Sequence, residues 1–158
     1  MSGTIIKASV EDFEELTAIW ETSVRATHHF LAEQDIQFFR PLVLQDYLPQ
    51  LKVFFMKYTG DEIAGFTALS EDKIEMLFVK PEYFGRGVGN ALLRFAVETM
   101  GVKKVDVNEQ NLSATCFYQK MGFVITGRSE TDGMGKPFPL LFLQISEKIQ
   151  IKVNEKSN

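Results

Sequence analysis

Three glycines stand two residues apart where a predicted strand gives way to a predicted helix. They are Gly85, Gly87 and Gly89, and the strand before them ends at about Val79. Glycine adopts positive φ angles without strain and lets the backbone approach a ligand closely. The first turn of a helix leaves N–H groups unsatisfied, and the helix dipole attracts anions to that end. The turn therefore indicates a cradle for a phosphate or pyrophosphate, although a glycine-rich turn without a ligand has the same pattern.

Two common phosphate-binding motifs do not fit this turn. A Rossmann site needs Gly-x-Gly-x-x-Gly after the first strand of a parallel sheet, whereas these glycines are spaced Gly-x-Gly-x-Gly and follow a predicted hairpin. Asp106 lies about 20 residues further on, as a ribose-binding acid would, but the order of elements argues against that motif and leaves a Rossmann-type nucleotide domain as a distant third interpretation. A P-loop needs Gly-Lys-Ser or Gly-Lys-Thr, and here Asn90 and Ala91 follow the last glycine.

Two carboxylates and one amide occupy strand positions suited to proton transfer or hydrogen bonding. Asp106 and Asn108 share one face of the predicted strand 104–108, and Glu75 has a comparable place on strand 73–79. A carboxylate at such a position can act as a general base. Each of the three residues can equally be a solvated strand residue, so the pattern leaves both interpretations open.

His28, His29 and Cys116 are the remaining candidates for chemistry. Adjacent histidines on a helix point in different directions, which argues against joint chelation of a metal. Cys116 lies in a predicted helix and, as a small apolar side chain, is expected to be buried. The sequence therefore predicts no metal site, and it leaves the histidines as packing residues or as contacts to a substrate.

Eleven predicted elements position these residues. Strands are predicted at 4–7, 52–58, 63–70, 73–79, 104–108, 123–128 and 140–146, from their alternating or apolar patterns and the turns between them. Helices are predicted at 10–24, about 33–47 with an interruption near Pro41, 89–100 and 112–121. This order predicts an α/β (α+β) fold with a mixed central sheet of about seven strands flanked by four helices.

The composition indicates one ordinary globular domain. The chain has 158 residues, of which 45% are hydrophobic, and no run approaches the ~20 apolar residues that span a bilayer. We assign residues 1–149 to a single domain and 150–158 to a polar tail. One cysteine excludes an internal disulfide framework and favours the cytoplasm. The pattern is compatible with a monomer or a homodimer that has no membrane or nucleic-acid partner.

The charge is unevenly distributed along the chain. The 17 Lys and Arg against 21 Asp and Glu give a net charge of −4, which argues against a dedicated nucleic-acid-binding protein. Residues 1–50 contain three basic and eight acidic residues, a net charge of −5. The rest of the chain contains fourteen and thirteen, a net charge of +1.

Two segments of the sequence resemble the GNAT N-acetyltransferase superfamily. The acetyl-CoA-binding segment of that family is similar to Val79-x-Pro81-x-Tyr83, Gly85-Arg86-Gly87-Val88-Gly89 and Leu92-Leu93. Its closing motif is similar to Asn111-x-x-Ala114-x-x-x-Tyr118-x-x-x-Gly122-Phe123. The element order agrees with the family's from residue 4 to 146. Residues 24–31 and 135–140 look like those of small bacterial acetyltransferases, some of which are described as protein-lysine acetyltransferases.

The resemblance implies a GNAT fold and an acyltransferase that moves the acetyl group of acetyl-CoA to a primary amine in a direct ternary complex. The backbone of Leu77, Phe78 and Val79 would then pair with the pantetheine arm. The amides of Gly85, Arg86, Gly87, Val88, Gly89 and Asn90 would hold the pyrophosphate. The family usually has Arg or Gln where Phe84 stands, so a side-chain contact to the phosphate is not expected from that position.

The resemblance also implies roles for individual side chains. Tyr118 is the predicted general acid, because a phenol stays protonated at pH 7 and can donate to the departing sulfur. Asp106 is the first choice for the general base and Glu75 the second. The remaining assignments are Asn111 as helix cap and cofactor contact, and His28, His29 and Asn108 as contacts to the acceptor.

The identity of the acceptor stays open at this point. In the family the acceptor cleft is lined largely by the first helices, which lie in the segment of charge −5, so we expect a cationic amine, such as a protein lysine or a small cationic amine. If the acids of residues 1–50 instead face solvent, this expectation loses its basis. A non-catalytic acyl-CoA-binding module on the same fold is the alternative function.

Overall fold

A seven-stranded mixed sheet in the order β1-β2-β3-β4-β5-β7-β6 forms the centre of the protein. The computed structural model describes residues 3–58 and 60–146, so the predicted tail lies outside the described residues. All neighbouring strands are antiparallel except β4 and β5, which are parallel. The strands are β1 (Thr4–Lys7), β2 (Lys52–Lys57), β3 (Ile63–Leu69), β4 (Lys73–Val79), β5 (Lys104–Asn108), β6 (Phe123–Ser129) and β7 (Leu140–Ile145).

Four helices connect these strands, as the sequence predicts. They are α1 (Phe13–Thr27), α2 (Glu33–Leu42), α3 (Val88–Arg94) and α4 (Leu112–Lys120). The expected interruption near Pro41 is not a break, because the chain stays helical through the proline and widens into a π-helical turn at Val43–Tyr47. A second π-helical turn, Phe95–Thr99, continues α3. Among the described residues, no helix is long and apolar enough to cross a membrane.

The helices cover both faces of the sheet. Trp20 of α1 and Phe66 of β3 belong to one buried cluster, whereas Leu69 of the same strand belongs to another with Leu93 of α3 and Tyr118 of α4. Side chains an odd number of residues apart on a strand point to opposite faces. The fold is therefore the mixed α/β arrangement that the sequence predicts, with α1 on one face and α3 and α4 on the other.

Cys116 corrects one expectation from the sequence. Its side chain is exposed, whereas Thr115 and Tyr118 on the same helix are buried. Thr115 and Tyr118 are three residues apart and share the buried face of the helix, whereas Cys116 lies on another face. The thiol is thus a surface group of α4 and not part of the core.

Candidate active site

Strands β4 and β5 are paired only at their beginnings. Lys73 is in register with Lys104 and Ile74 with Val105, and no later pair joins the two strands in the described part of the chain. Beyond this point a cavity of about 520 Å³ opens between them, with the glycine turn and α4 completing its walls. We call it the first cavity. Because the two strands separate, the end of β4 has no strand partner on its β5 side within the described residues.

A bulge at Glu75 coincides with the point where the strands separate. On the other edge of β4, Met76 is in register with Ala68 and Ile74 with Leu69, so Glu75 has no partner on β3. A bulge bends its strand and redirects the side chain of the extra residue. Glu75, the residue at this distortion, lines the first cavity.

The glycine turn forms the next part of the wall, and its backbone needs glycine at two positions. Gly85 has φ of 76° and Gly87 of 84°, which are left-handed conformations that other residues adopt only with strain. Gly87 is also the residue that precedes the first turn of α3. Gly87 and the three residues that follow it, Val88, Gly89 and Asn90, line the first cavity.

Tyr118 lies on α4 at the base of the first cavity. It is only 6% exposed, and the rings of Phe117 and Phe123 pack against it at centroid distances of 5.1 and 5.6 Å. Burial raises the pKa of the phenol above its usual value, so the hydroxyl stays protonated at neutral pH. The aromatic neighbours fix the ring while its edge lines the cavity.

A second cavity, of about 410 Å³, lies on the side of α1 and α2 and has aromatic and aliphatic walls. The rings that line it are Trp20, Phe30, Phe39, Tyr47, Phe78 and Phe138. Its two carboxylates are Glu75 and Asp132, and no lysine or arginine is among the described residues that line it. An apolar cavity with two carboxylates and aromatic faces favours a cation with an apolar arm.

The loop between β6 and β7 closes one side of the second cavity by contacts to the α2 region. The hydroxyl of Tyr47 donates to the sulfur of Met134 at 3.4 Å. The ammonium of Lys136 stands 4.2 Å from the centre of the Phe38 ring. Asp132 holds the loop itself together, because its Oδ1 accepts the backbone N–H groups of Met134 and Lys136, each at 2.9 Å. These contacts hold the loop in place as one wall of the second cavity.

The two candidate bases differ in their partners. Asp106 forms an ion pair with Lys73, whose Nζ lies 2.5 Å from Oδ2, and it lines only the first cavity. Burial lowers the pKa of Lys73, but the hydrogen bond to Asp106 and the charges of Glu75, Asp106 and Asp72 together raise it above its ordinary value. Glu75 accepts a hydrogen bond from the Ser70 hydroxyl at 2.9 Å and lines both cavities. Glu75 thus lies at the junction of the two cavities, whereas Asp106 lines the first cavity and is paired with Lys73.

His28 follows the last residue of α1, and its ring lines both cavities. Its Nδ1 lies 2.7 Å from Oγ1 of Thr27, and its Nε2 lies 3.4 Å from Nδ2 of Asn111. The rings of Phe30 and Phe78 stand 5.2 and 6.1 Å from it. Burial and, to a smaller extent, the neighbouring histidine lower the pKa of His28 to about 4, so the ring is neutral at pH 7.

Most of the predicted site residues meet at the first cavity. Those that line it are His28, Glu75, Leu77, Phe78, Val79, Gly85, Gly87, Val88, Gly89, Asn90, Asp106, Asn108, Asn111 and Tyr118. The side chains of Arg86 and His29 line neither cavity: the Arg86 guanidinium lies 5.6 Å from the centre of the Tyr83 ring, and His29 is exposed. His29 is thus separated from the acceptor side, where the sequence had placed it.

Comparison with known proteins assigns the family. A family model described as an acetyltransferase (GNAT) domain matches residues 20–138. The chain belongs to the GNAT family. It is therefore an acyltransferase of the N-acetyltransferase type, as the two sequence segments predict.

Individual GNAT relatives agree with this assignment. The peptidyl-lysine N-acetyltransferase YjaB of Salmonella typhimurium (strain LT2) is 42% identical over 133 residues, which cover 84% of this chain and 91% of the relative. The solution structure of apo-form YjaB from Escherichia coli has a TM-score of 0.83 at 40% identity and covers 91% of this chain and 97% of that one. PaiA N-acetyltransferase from Thermoplasma acidophilum, solved with coenzyme A, shares the fold, with a TM-score of 0.74 at 23% identity over 92% and 99% of the two chains.

The acids of the first 50 residues do not line the cavities of this GNAT domain. None of the eight is among the residues of either cavity. Several are paired on the surface instead: Glu21 accepts from Arg25 and Arg40, and Glu33 forms a second ion pair with Arg25. The expectation that the charge of residues 1–50 attracts the acceptor assumed that these acids line the acceptor cleft, and this assumption is wrong. The carboxylates that face the second cavity come from β4 and the β6–β7 loop.

Sequence reasoning missed most of the second cavity. Its aromatic residues come from α1, α2, β4 and the β6–β7 loop, and no local spacing connects them. Of these aromatic residues, Phe30, Phe78 and Phe138 lay in segments that the sequence had singled out, 24–31, 77–79 and 135–140. Phe84 is 44% exposed at the edge of the first cavity, where it offers an apolar surface in place of the family's usual polar side chain. Within the described residues, no group of three or more His, Cys, Asp or Glu could hold a metal ion.

Proposed function

We propose that the protein transfers the acetyl group of acetyl-CoA to the primary amine of a cationic acceptor. The observation that carries this proposal is the meeting of two cavities across β4. Five residues line both: His28, Glu75, Met76, Phe78 and Asn108. A thioester held in the first cavity and an amine entering from the second would meet at these residues. The relatives named as peptidyl-lysine N-acetyltransferases support the same reaction class.

The first cavity has the features needed to hold acetyl-CoA. The N–H groups of residues 85–90 would receive the pyrophosphate, because they surround the start of α3 where two glycines take left-handed conformations. The end of β4, residues 77–79, has no partner on β5 and would pair with the amide groups of the pantetheine arm like an added strand. A related GNAT structure was solved with coenzyme A, which supports this use of the fold.

Glu75 and Tyr118 would carry the proton transfers. The acceptor ammonium first loses one proton to solvent, and the neutral amine then attacks the thioester carbon while Glu75 accepts a proton from its nitrogen, directly or through water. The C–N bond forms while a backbone N–H of β4 polarises the carbonyl oxygen. When the C–S bond breaks, the protonated hydroxyl of Tyr118 donates to the departing thiolate, and the proton held by Glu75 returns to Tyr118 through water, so that both groups regain their starting states. Asp106 would assist only through its charge, because its ion pair with Lys73 already engages it.

The second cavity favours an ammonium on an apolar arm as the acceptor. Glu75 and Asp132 give it two negative charges, and aromatic faces such as those of Trp20 and Phe138 stabilise a cation. A lysine side chain has this combination of a long alkyl chain and a terminal charge. The single cysteine fits a reducing compartment, so we place the reaction in the cytoplasm.

An acceptor panel tests the proposed function. The protein is incubated with acetyl-CoA and, in turn, with a lysine-containing peptide, free lysine, a polyamine, an aromatic amine and an uncharged amine. Mass spectrometry follows the gain of one acetyl group, and a thiol assay follows release of CoA. We expect turnover with the cationic alkylamines. Binding of acetyl-CoA without turnover of any amine would instead show a non-catalytic acyl-CoA-binding module.

A further inference from the structure

The hydrogen bonds around His28 fix which ring nitrogen carries the proton. The Thr27 hydroxyl donates to the backbone oxygen of Ser23 at 2.8 Å. A hydroxyl has a single proton, so in its 2.7 Å contact with His28 the Thr27 oxygen can only accept. The Nδ1 atom of His28 must therefore be protonated.

The contacts on the other side of the ring give the same tautomer independently. Asn111 caps α4, and its Oδ1 accepts the backbone N–H of Ala114 at 3.1 Å. The amide therefore turns its Nδ2, a donor, towards Nε2 of His28. Since the ring is neutral at pH 7, Nε2 carries a lone pair and is the acceptor in this contact.

This lone pair is only weakly engaged. Nδ1 of His28 is held at 2.7 Å, but the contact of Nε2 with Asn111 is 3.4 Å long, close to the limit for a hydrogen bond. The ring also stands at the junction of the two cavities. An N–H group that enters this junction would therefore meet Nε2 as an oriented acceptor, and could form a shorter hydrogen bond to it than Asn111 does.

We propose that Nε2 of His28 accepts a hydrogen bond from the attacking amine and so aims its lone pair at the thioester carbon. This inference rests on the proposed function. A neutral primary amine has two N–H groups and one lone pair. One N–H loses its proton to Glu75, the second donates to His28, and the lone pair forms the C–N bond. His28 gains and loses no proton, and the C–S bond breaks with the thiolate taking its proton from Tyr118.

A packing role for His28 predicts different effects of substitution from a role in orienting the attacking amine. The ring touches Phe30 and Phe78 and connects the end of α1 to the start of α4, so its loss also affects stability. The variant His28→Phe retains an aromatic ring without an acceptor, and His28→Gln retains an acceptor oxygen. His29→Phe is the matched control, because that histidine is exposed and lines neither cavity.

The kinetic test uses two acceptors that differ by one N–H group. They are Nα-acetyl-lysine amide and its Nε-methyl counterpart, a secondary amine that has no N–H left for His28 after Glu75 takes one. The wild-type protein should prefer the primary amine. His28→Phe should lower kcat/KM for the primary amine about tenfold, the loss of one hydrogen bond, and reduce the preference between the two amines. His28→Gln should restore part of the preference for the primary amine, and His29→Phe should match the wild type.

A measurement on the wild-type protein guards against a variant that fails to fold. Nitrogen-15 NMR of the His28 ring between pH 6 and 8 should show a protonated Nδ1 and an unprotonated Nε2, and the opposite tautomer would overturn the inference. An unchanged preference between the two amines in folded His28→Phe would do the same while leaving acetyl transfer intact. If the wild type acetylates neither amine nor any member of the panel, the proposed function fails and this inference with it.

Discussion

Nζ of Lys73 lies 2.5 Å from Oδ2 of Asp106, and this ion pair joins β4 to β5 just where the two strands begin to separate. Two residues along β4, Glu75 accepts a hydrogen bond from Ser70, interacts electrostatically with the same Lys73, and lines both cavities. The two carboxylates that the sequence offers as general base therefore have different surroundings. Asp106 is paired with Lys73 at the narrow end of the cleft, and Glu75 lies at the junction of the two cavities.

Exchange of each carboxylate for its amide separates these roles. Glu75→Gln should lower kcat about 100-fold, the low end of the range for loss of a general base. Asp106→Asn should lower kcat by less than about threefold but reduce the melting temperature, because it leaves the half-buried Lys73 unpaired. Steady-state CoA release and thermal unfolding measure the two effects. A larger kinetic loss in Asp106→Asn than in Glu75→Gln would return the role of base to Asp106.

Tyr118→Phe removes the hydroxyl and keeps the buried ring. Because Phe117 and Phe123 pack against that ring, the variant should fold normally. We expect kcat to fall roughly 100-fold through loss of the general acid, with the affinity for acetyl-CoA nearly unchanged. Calorimetry gives the affinity and steady-state kinetics the rate. Full turnover at saturating amine would remove Tyr118 from the mechanism.

Gly87→Ala tests the glycine turn against a control with the same backbone strain. Gly87 and Gly101 both have left-handed φ angles, 84° and 73°, but only Gly87 lines a cavity. An alanine at either place costs about 1–2 kcal/mol of stability. Calorimetric titration with CoA should show about tenfold weaker binding in Gly87→Ala and unaltered binding in Gly101→Ala. Equal affinities in the two variants would exclude the turn from cofactor binding.

Local sequence patterns predict the parts of this site that are formed by consecutive residues. The glycine turn, the cap at Asn111 and the strand that carries Asp106 all follow from short patterns, and the structure places them together. The elements themselves agree with the predicted order, because alternation on strands and three- to four-residue spacing on helices are local properties.

The remaining features depend on how distant elements fit together. The bulge at Glu75 arises from the register between β3 and β4, which no spacing within β4 reveals. The second cavity forms where α2 meets the loop that carries Met134, through a contact between residues 87 positions apart. Likewise, the exposure of Cys116 depends on which face of α4 meets the sheet. Such properties are set by tertiary packing and are absent from the local pattern.

His28 should make the stability of the protein depend on pH below neutrality. Its pKa is about 4 in the folded protein, below its ordinary value of 6.5, and burial is the main cause. The unfolded chain therefore binds more protons than the folded protein between these two pH values. The stabilisation due to a neutral His28 is complete above pH 6.5 and is lost as the pH falls towards 4. The loss amounts to roughly 3 kcal/mol at most.

Urea unfolding at pH 7.5, 6.5, 5.5 and 4.5 measures this dependence, and His28→Phe is the matching variant because its ring cannot be protonated. We expect the wild type to lose more stability over this range than the variant, with the difference growing below pH 6.5. Glu33, whose pKa its ion pair with Arg25 lowers to about 2, contributes equally to both proteins and cancels in the comparison. Parallel pH profiles for the two proteins would show that His28 is as easily protonated when folded as when unfolded, and would contradict this prediction.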